Sequence, residues 1–197
     1  MRWNNLFDDL ESQLEHELSA EDVDLKAEEE RLRLGRLSLR DRLMNIHEAA
    51  GGGEYSIRLD VGGHIIKVSP TSFGRDWVAG SLIDETQSRR KVVVPLPALA
   101  SLILDRNQAM SSLTSTPRVA SGWLADRLGL TFVLRDCARR RCALELVTVH
   151  GTFHGTIDRV GRDHCDLAVH EVGTPRRETS VSQYRIVPID HLLLVRL

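Results

Sequence analysis

Basic residues that could bind phosphate lie in three short clusters of this 197-residue chain. The clusters are Arg89, Arg90 and Lys91 in SRRK, Arg139, Arg140 and Arg141 in CARRRC, and Arg176 and Arg177 in TPRR. Basic side chains neutralise the phosphates of a nucleic acid and give salt-dependent affinity without sequence preference. The clusters therefore predict a nucleic-acid-binding surface, and a solvated surface charge is the alternative that they leave open.

Cysteine and histidine residues concentrate in the second half of the chain, where thiolates and imidazoles could bind zinc. The run Cys137-x4-Cys142-x7-His150-x3-His154 has suitable ligand types, and His164, Cys165 and His170 follow it. The interval before His150 is shorter than in a zinc finger, and His150 and His154 fall on a predicted strand and turn. We therefore expect core thiols and surface histidines, with no metal site and no cofactor. A metal-binding regulator is the weakest hypothesis.

The tripeptide Gly-Arg-Asp occurs twice, at residues 74–76 and 161–163. It could supply a paired Arg and Asp to a reaction site, or it could form a tight turn in which Gly relieves backbone strain. The turn is favoured because the next residues differ, Trp77-Val78 against His164-Cys165. The chain has no nucleophile elbow, phosphate loop or dinucleotide motif, and AAGGGE is expected to end a helix. We expect no catalytic residue and no enzymatic activity.

Charge is divided unevenly along the chain. Residues 1–30 contain eleven acidic and two basic residues, a net charge of −9, whereas residues 31–197 contain seventeen acidic and twenty-four basic residues, a net charge of +7. One apolar stripe, made of Trp3, Leu6, Phe7, Leu10, Leu14 and Leu18, predicts an amphipathic helix. A second helix is predicted from Ser19 to about Gly35. The resulting acidic arm, residues 1–37, either covers a core or pairs with another protein through residues 1–30.

Strand patterns begin at Tyr55 and occur in two rounds. YSIRLDV alternates apolar and polar residues, and Gly62-Gly63 predicts a hairpin turn into HIIKV. Three landmarks recur in the same order: Asp-Arg-Leu at 41–43 and 126–128, Gly-Arg-Asp at 74–76 and 161–163, and Val-Pro at 94–95 and 187–188. The order indicates an internal duplication. It predicts units at residues 38–104 and 121–197, joined by a polar linker at residues 105–120.

The second unit contains the stretch VTVHGTFHGTIDRVGRDHCDLAVH. It places Gly151, Gly155, Ile157, Val160, Asp163 and Leu167 at strand spacing around glycine turns. This pattern resembles the first motif of Sm-like (Hfq-like) small β-barrels, and both units resemble that family in their order of elements. The resemblance implies two tandem small antiparallel barrels that bind RNA or protein surfaces. It transfers no RNA-binding residue, because Val187-Pro188 stands where nucleic-acid-binding members carry a polar or basic pocket.

Composition and patterning together predict an α+β protein, with an N-terminal helical arm and two tandem small-barrel units. Three cysteines are an odd number and favour reduced thiols. The first residues lack the apolar run of a signal peptide or membrane span, so we expect a cytoplasmic protein with no membrane partner. The leading hypothesis is a non-enzymatic regulator that binds RNA or DNA. The alternative is a protein-interaction module whose helical arm mediates association.

Overall fold

The computed structural model describes residues 22–83, 90–114 and 127–197 of the chain. The chain divides into two compact units, residues 1–38 and residues 39–197. In the first unit, helix α1 covers residues 22–35, where a helix was predicted. Its exposed side carries ion pairs one turn apart, such as Glu30–Arg33 at 2.6 Å. The helix predicted over residues 3–18 lies outside the described residues.

Residues 39–197 contain three helices and ten strands in their described part, which confirms the α+β class. The helices are α2 (Leu39–Ala49), α3 (Arg106–Leu113) and α4 (Leu130–Arg139). The strands are β1 (Ile57–Val61), β2 (His64–Phe73), β3 (Trp77–Leu82), β4 (Lys91–Pro95), β5 (Leu99–Ile103), β6 (Ala143–Thr148), β7 (Gly151–Val160), β8 (His164–Val169), β9 (Gln183–Pro188) and β10 (Leu192–Arg196). None of the helices in the described ranges is long and apolar enough to cross a membrane.

The ten strands form a single antiparallel sheet in the order β5-β1-β2-β3-β4-β10-β6-β7-β8-β9. The first five and the last five strands follow the same internal order, so we call them the first and second repeats. They join where β4 pairs with β10, through Val93–Val195 and Val92–Arg196. The sheet does not close on itself, and β5 and β9 are its outer strands. The limits 38–104 and 121–197 for separate domains stay a prediction.

Two of the three sequence landmarks occupy equivalent places in the repeats. Each Gly-Arg-Asp connects the second and third strands of its repeat, and each Val-Pro ends the fourth strand, just before a short 3-10 turn. The pairing register is also the same, because Trp77 pairs with Pro95 as His164 pairs with Pro188. The Asp-Arg-Leu match is wrong as a landmark. Residues 41–43 lie inside α2, whereas Arg127 and Leu128 precede α4.

Glycine supplies the left-handed backbone that two predicted turns require. Gly62 and Gly63 have φ of 59° and 81° between β1 and β2, which confirms the hairpin. Gly51 and Gly52 have φ of 59° and 80° just after α2, so the glycine run ends that helix as expected.

The predicted linker at residues 105–120 is wrong in its first half, because Arg106–Leu113 form α3. Asp105 begins this helix with a reciprocal capping box to Gln108. Ser112 is fully buried and accepts hydrogen bonds from the Arg42 guanidinium at 2.8 and 3.1 Å. The polar residues that suggested a linker are therefore used for capping and helix packing. Residues 115–120 lie outside the described part of the chain.

The hydrophobic cores of the repeats extend across the β4–β10 junction. Trp77 and Val93 of the first repeat are buried with Leu134 of α4 in the second core. Leu194 of β10 is buried in the first core. Because each core includes residues from both repeats, the two repeats are expected to stabilise each other.

Candidate nucleic-acid interface

The predicted phosphate-binding residues do not form one cluster. Arg89 lies outside the described residues, and Arg90 and Lys91 are exposed at the start of β4. Arg177 is exposed in the loop between β8 and β9. Neither of the two cavities described below is lined by Arg90, Lys91 or Arg177.

Arg139 and Arg140 both form ion pairs with Asp136 at the end of α4. Their guanidinium groups lie 2.6 and 2.7 Å from the two carboxylate oxygens of Asp136. The hydrogen bond from Arg139 and the charges of both arginines lower the pKa of Asp136. This pairing favours the alternative of a solvated surface charge for these two residues.

Arg141 and Arg176 meet although 35 positions separate them. The Arg141 Nη1–H donates to Asp158 Oδ1 at 2.7 Å, and the Arg176 Nη2–H donates to Asp158 Oδ2 at 2.6 Å. Burial alone would raise the pKa of the Asp158 carboxyl, but the hydrogen bonds and charges of Arg176 and Arg141 hold it below its usual value. Arg141 has a φ of 54°, a strained conformation for a residue with a side chain. A strained backbone of this kind is kept only where neighbouring contacts hold it in place, and the bond to Asp158 is one such contact of Arg141.

The Arg–Asp–Arg contact lies at one wall of a cavity of about 530 Å³, which we call the arginine cavity. Its charged lining residues are Arg141, Arg159, Arg176, Arg185, Asp158 and Asp166. The remaining lining residues are Tyr184 and Ile186 of β9. Four arginines against two carboxylates leave an excess of positive charge, which suits a phosphate-bearing ligand.

The sheet surface beside the arginine cavity is exposed in the second repeat, whereas the equivalent surface of the first repeat is covered. Ala79 pairs with Val93 as Asp166 pairs with Ile186. Val93 is only 4% exposed because it packs against the second repeat, whereas Ile186 is 74% exposed. We call the outer side of β8 and β9, with Asp166, Tyr184 and Ile186, the open face. The surface that contacts protein in the first repeat is therefore free to contact a ligand in the second repeat.

Sequence reasoning identified only two of the eight lining residues of the arginine cavity, Arg141 and Arg176, and missed the other six. Arg159 and Arg185 are single basic residues on strands and belong to no cluster, and Tyr184 lies in an ordinary strand pattern. The Arg185 guanidinium stacks over the Phe153 ring, 4.1 Å from its centroid. The alternation of Tyr184 with Ile186 was the available signal, because it places two large apolar groups on one side of a strand.

Each Gly-Arg-Asp element forms a turn, as predicted, but the expected relief of backbone strain is wrong because neither Gly74 nor Gly161 has a positive φ. A Cβ at either position would instead overlap the ring of the residue three positions on, Trp77 or His164. Each glycine N–H donates to the carbonyl three residues on, Gly74 to Trp77 and Gly161 to His164, both at 2.9 Å. Each aspartate carbonyl accepts from the first residue of the following 3-10 turn, at 2.8 Å in both repeats. The turn thus fixes the connection between the last two strands of its repeat.

Both Gly-Arg-Asp turns also line a second cavity, of about 700 Å³, which we call the paired-turn cavity. Arg75, Asp76, Arg162 and Asp163 line it together with prolines and aliphatic residues. Arg75 contacts Asp76 at 3.4 Å, so its charge is partly balanced. With as many carboxylates as arginines among these four residues, this cavity is less suited to phosphate than the arginine cavity.

The cysteine and histidine residues do not assemble into a ligand set in the described ranges. Cys137 and Cys165 are buried, and burial raises the pKa of each thiol to about 11. The expectation of surface histidines is wrong for His170, which is 3% exposed and hydrogen-bonded to Thr156 at 2.9 Å. Among the residues described, no three His, Cys, Asp or Glu side chains lie where they could share a metal ion.

Comparison with protein-family models, curated proteins and solved structures finds no protein similar to this chain.

Proposed function

We propose that the protein is a non-enzymatic, regulatory protein that binds RNA or DNA through the arginine cavity. The observation that carries the proposal is the convergence of Arg141, Arg159, Arg176 and Arg185 on one cavity from separate segments of the second repeat. An arginine has five N–H donors, so one hydrogen bond to Asp158 leaves others for phosphate oxygens. Asp158 orients two of the guanidinium groups before the ligand arrives, which lowers the entropy cost of binding.

We also propose that each repeat is an Sm-like small barrel. The proposal is supported by the identical strand order of the two arrays and by the 3-10 turn that connects the last two strands of each. The fold alone does not assign a ligand. The resemblance to Sm-like barrels is nevertheless a reason to test RNA before DNA.

Binding of labelled oligonucleotides to the full chain tests the proposed function. We expect retention of RNA or DNA at 50 mM salt and a loss of affinity of about threefold per phosphate contact between 50 and 200 mM salt. The variant Arg141→Ala/Arg159→Ala should bind more weakly and show a shallower salt dependence.

The matched control is Arg139→Ala/Arg140→Ala, which removes two arginines that pair with Asp136 outside the cavity. It should leave affinity nearly unchanged. Equal losses in the two double variants, or no binding of either nucleic acid at 50 mM salt, would contradict the proposal.

One observation favours the second candidate, a protein-interaction module that associates through its helical arm. Val23, Leu25 and Leu32 of α1 are large apolar residues that are more than half exposed. If the arm pairs with another chain, the double variant Leu25→Glu/Leu32→Glu should lower the molecular mass measured by light scattering. The control Val172→Glu, at an exposed position of the β8–β9 loop, should not. An unchanged mass in the arm variant, or an equal fall in the control, counts against this candidate.

A further inference from the structure

Two large side chains stand exposed on the open face beside the arginines. Tyr184 and Ile186 alternate along β9, so both point to the same side of the sheet. They are 63% and 74% exposed. In the first repeat the matching positions are Lys91, which is charged, and Val93, which is covered. The second repeat therefore presents an aromatic ring and an aliphatic side chain at a position where the first repeat presents neither.

The ring lies next to the phosphate-binding groups. Tyr184 and Ile186 line the same cavity as Arg159 and Arg176. The Tyr184 side chain is close enough to Arg176 to affect the pKa of its guanidinium, which Asp158 raises most. The Nε groups of Arg176 and Arg185 are buried, and neither has a hydrogen-bond partner in the described structure. A ligand here would meet donors for phosphate and a flat apolar surface within one cavity.

We propose that the ligand of the arginine cavity is single-stranded nucleic acid, with a base stacked on Tyr184 beside Ile186 and the flanking phosphates on the arginines. This inference rests on the proposed function and names its substrate class. A duplex keeps its base faces stacked inside, so it offers phosphates but no base to the ring. A single strand offers both. A cavity of about 530 Å³ is within the size range of small-ligand sites and has room for one nucleotide.

A second copy of the chain is the competing occupant, and the residues of the open face disfavour it. In the first repeat, the surface that packs on protein carries Trp77, Ala79 and Val93. The matching residues of the second repeat are His164, Asp166 and Ile186. Covering the open face with protein would bury the charges around Asp158 as well, which is costly unless each finds a partner. His164 and Asp166 thus replace two of the three apolar residues with which the first repeat packs on protein, which makes the open face less suited to a protein contact.

The test compares three 12-nucleotide probes by fluorescence anisotropy with the full chain. The probes are single-stranded oligouridylate or oligothymidylate, the same strand with abasic sites in place of all bases, and a matched duplex. We expect the single strand to bind about tenfold more tightly than the abasic strand, because each base that stacks on an aromatic ring adds affinity. Tyr184→Ala should lower single-strand affinity to the abasic level and leave abasic and duplex binding unchanged. Tyr184→Phe should retain the preference, because the ring and not the hydroxyl stacks.

Phe132→Ala is the matched control, since Phe132 is an exposed aromatic residue of α4 that does not line the cavity. It should not alter binding of any probe. Equal affinity for normal and abasic strands, or no effect of Tyr184→Ala, overturns the single-strand inference while the proposed function stands. Failure to bind any probe overturns both. A fall in molecular mass of the free protein on Tyr184→Ala, with no change in probe binding, identifies a second copy as the occupant and overturns the inference.

Discussion

The carboxylate of Asp76 accepts a hydrogen bond from the backbone N–H of Leu130 at 2.8 Å. A turn of the first repeat therefore caps the helix with which the second repeat begins. Gly129 precedes α4 and has no side chain to cap it, so the cap is supplied from a distant part of the chain. The matching residue of the second repeat, Asp163, is 84% exposed and bonds its neighbour His164. The aspartate of this turn thus caps a helix in the first repeat, whereas the carboxylate of the matching aspartate in the second repeat is exposed and bonds its neighbour.

Removal of this cap should weaken the fold. We expect Asp76→Ala to lower the free energy of unfolding by about 1 kcal/mol, as for other helix N-caps. Urea denaturation followed by circular dichroism measures the change. Asp163→Ala is the matched control and should change stability by only a few tenths of a kcal/mol. Equal losses in the two variants would show that the cap on α4 is not the cause.

Glycine at position 74 should be harder to replace than glycine at position 161. A Cβ on Gly74 would overlap the Trp77 ring and lie 2.8 Å from the Leu128 carbonyl oxygen. Trp77 is held in the core and donates from Nε1 to that same carbonyl at 3.0 Å. The atoms nearest to a Cβ on Gly161 belong to the half-exposed His164 ring, which can move.

We therefore expect Gly74→Ala to lower the free energy of unfolding by about 1–3 kcal/mol, as overpacking does, and Gly161→Ala to cost less. Thermal or urea unfolding of the two variants under the same conditions gives the comparison. A larger loss for Gly161→Ala would contradict the packing described for Trp77.

A charge introduced at equivalent positions of the two repeats should have opposite consequences. Val93→Asp places a carboxylate in the core shared by the repeats, so we expect a loss above about 3 kcal/mol or no folding. Ile186→Asp changes a residue that is 74% exposed, and stability should stay within about 0.5 kcal/mol. Chemical denaturation of Ile186→Asp, with Val93→Ala as a milder partner variant, tests the difference. Strong destabilisation by Ile186→Asp would mean that the open face is covered in solution.

Stability should fall as the solution becomes alkaline. Burial raises the pKa of Cys137 and Cys165 to about 11 in the folded protein, above the ordinary thiol value of about 8.5. Below the ordinary value both states are protonated, and the thiols add no pH dependence. Between that value and about 11 the unfolded chain binds fewer protons, so the free energy of unfolding decreases as pH rises.

The expected loss is about 1–2 kcal/mol per thiol between pH 8 and pH 10. Urea unfolding at both pH values measures it, and Cys165→Ala should show a smaller difference between the two. An identical pH dependence in Cys165→Ala and the parent chain would exclude this thiol as a contributor.

Much of the fold was predictable because it depends on local rules. The Gly62-Gly63 hairpin follows from backbone conformation, and the repeat follows from two ordered landmarks, Gly-Arg-Asp and Val-Pro. Helix α3 was missed because its buried residue is Ser112, so no apolar period marks it. The Asp-Arg-Leu match misled because a tripeptide carries no information about the position of a helix end. The pairing of β4 with β10 was not predicted, since long-range strand pairing leaves no local pattern.

The site was only partly predictable. Sequence clusters identified Arg141 and Arg176 but could not show that both meet Asp158, a contact between a turn, a strand and a loop. The same reasoning included Arg139 and Arg140, because a run of arginines does not reveal the nearby Asp136 that binds them. The alternation of Tyr184 with Ile186 was the available signal in β9, but it could not show that Ile186 is exposed while the matching Val93 is covered.

Strand β10 occupies the middle of the sheet, between β4 and β6, although it is the last of the ten strands to be synthesised. During translation, the β4 edge of the first repeat therefore has no partner until residues 192–196 have left the ribosome. An unpaired strand edge on a partly made chain can associate with the wrong partner. The nascent protein thus keeps one strand edge unpaired for as long as β6 to β10 remain to be made.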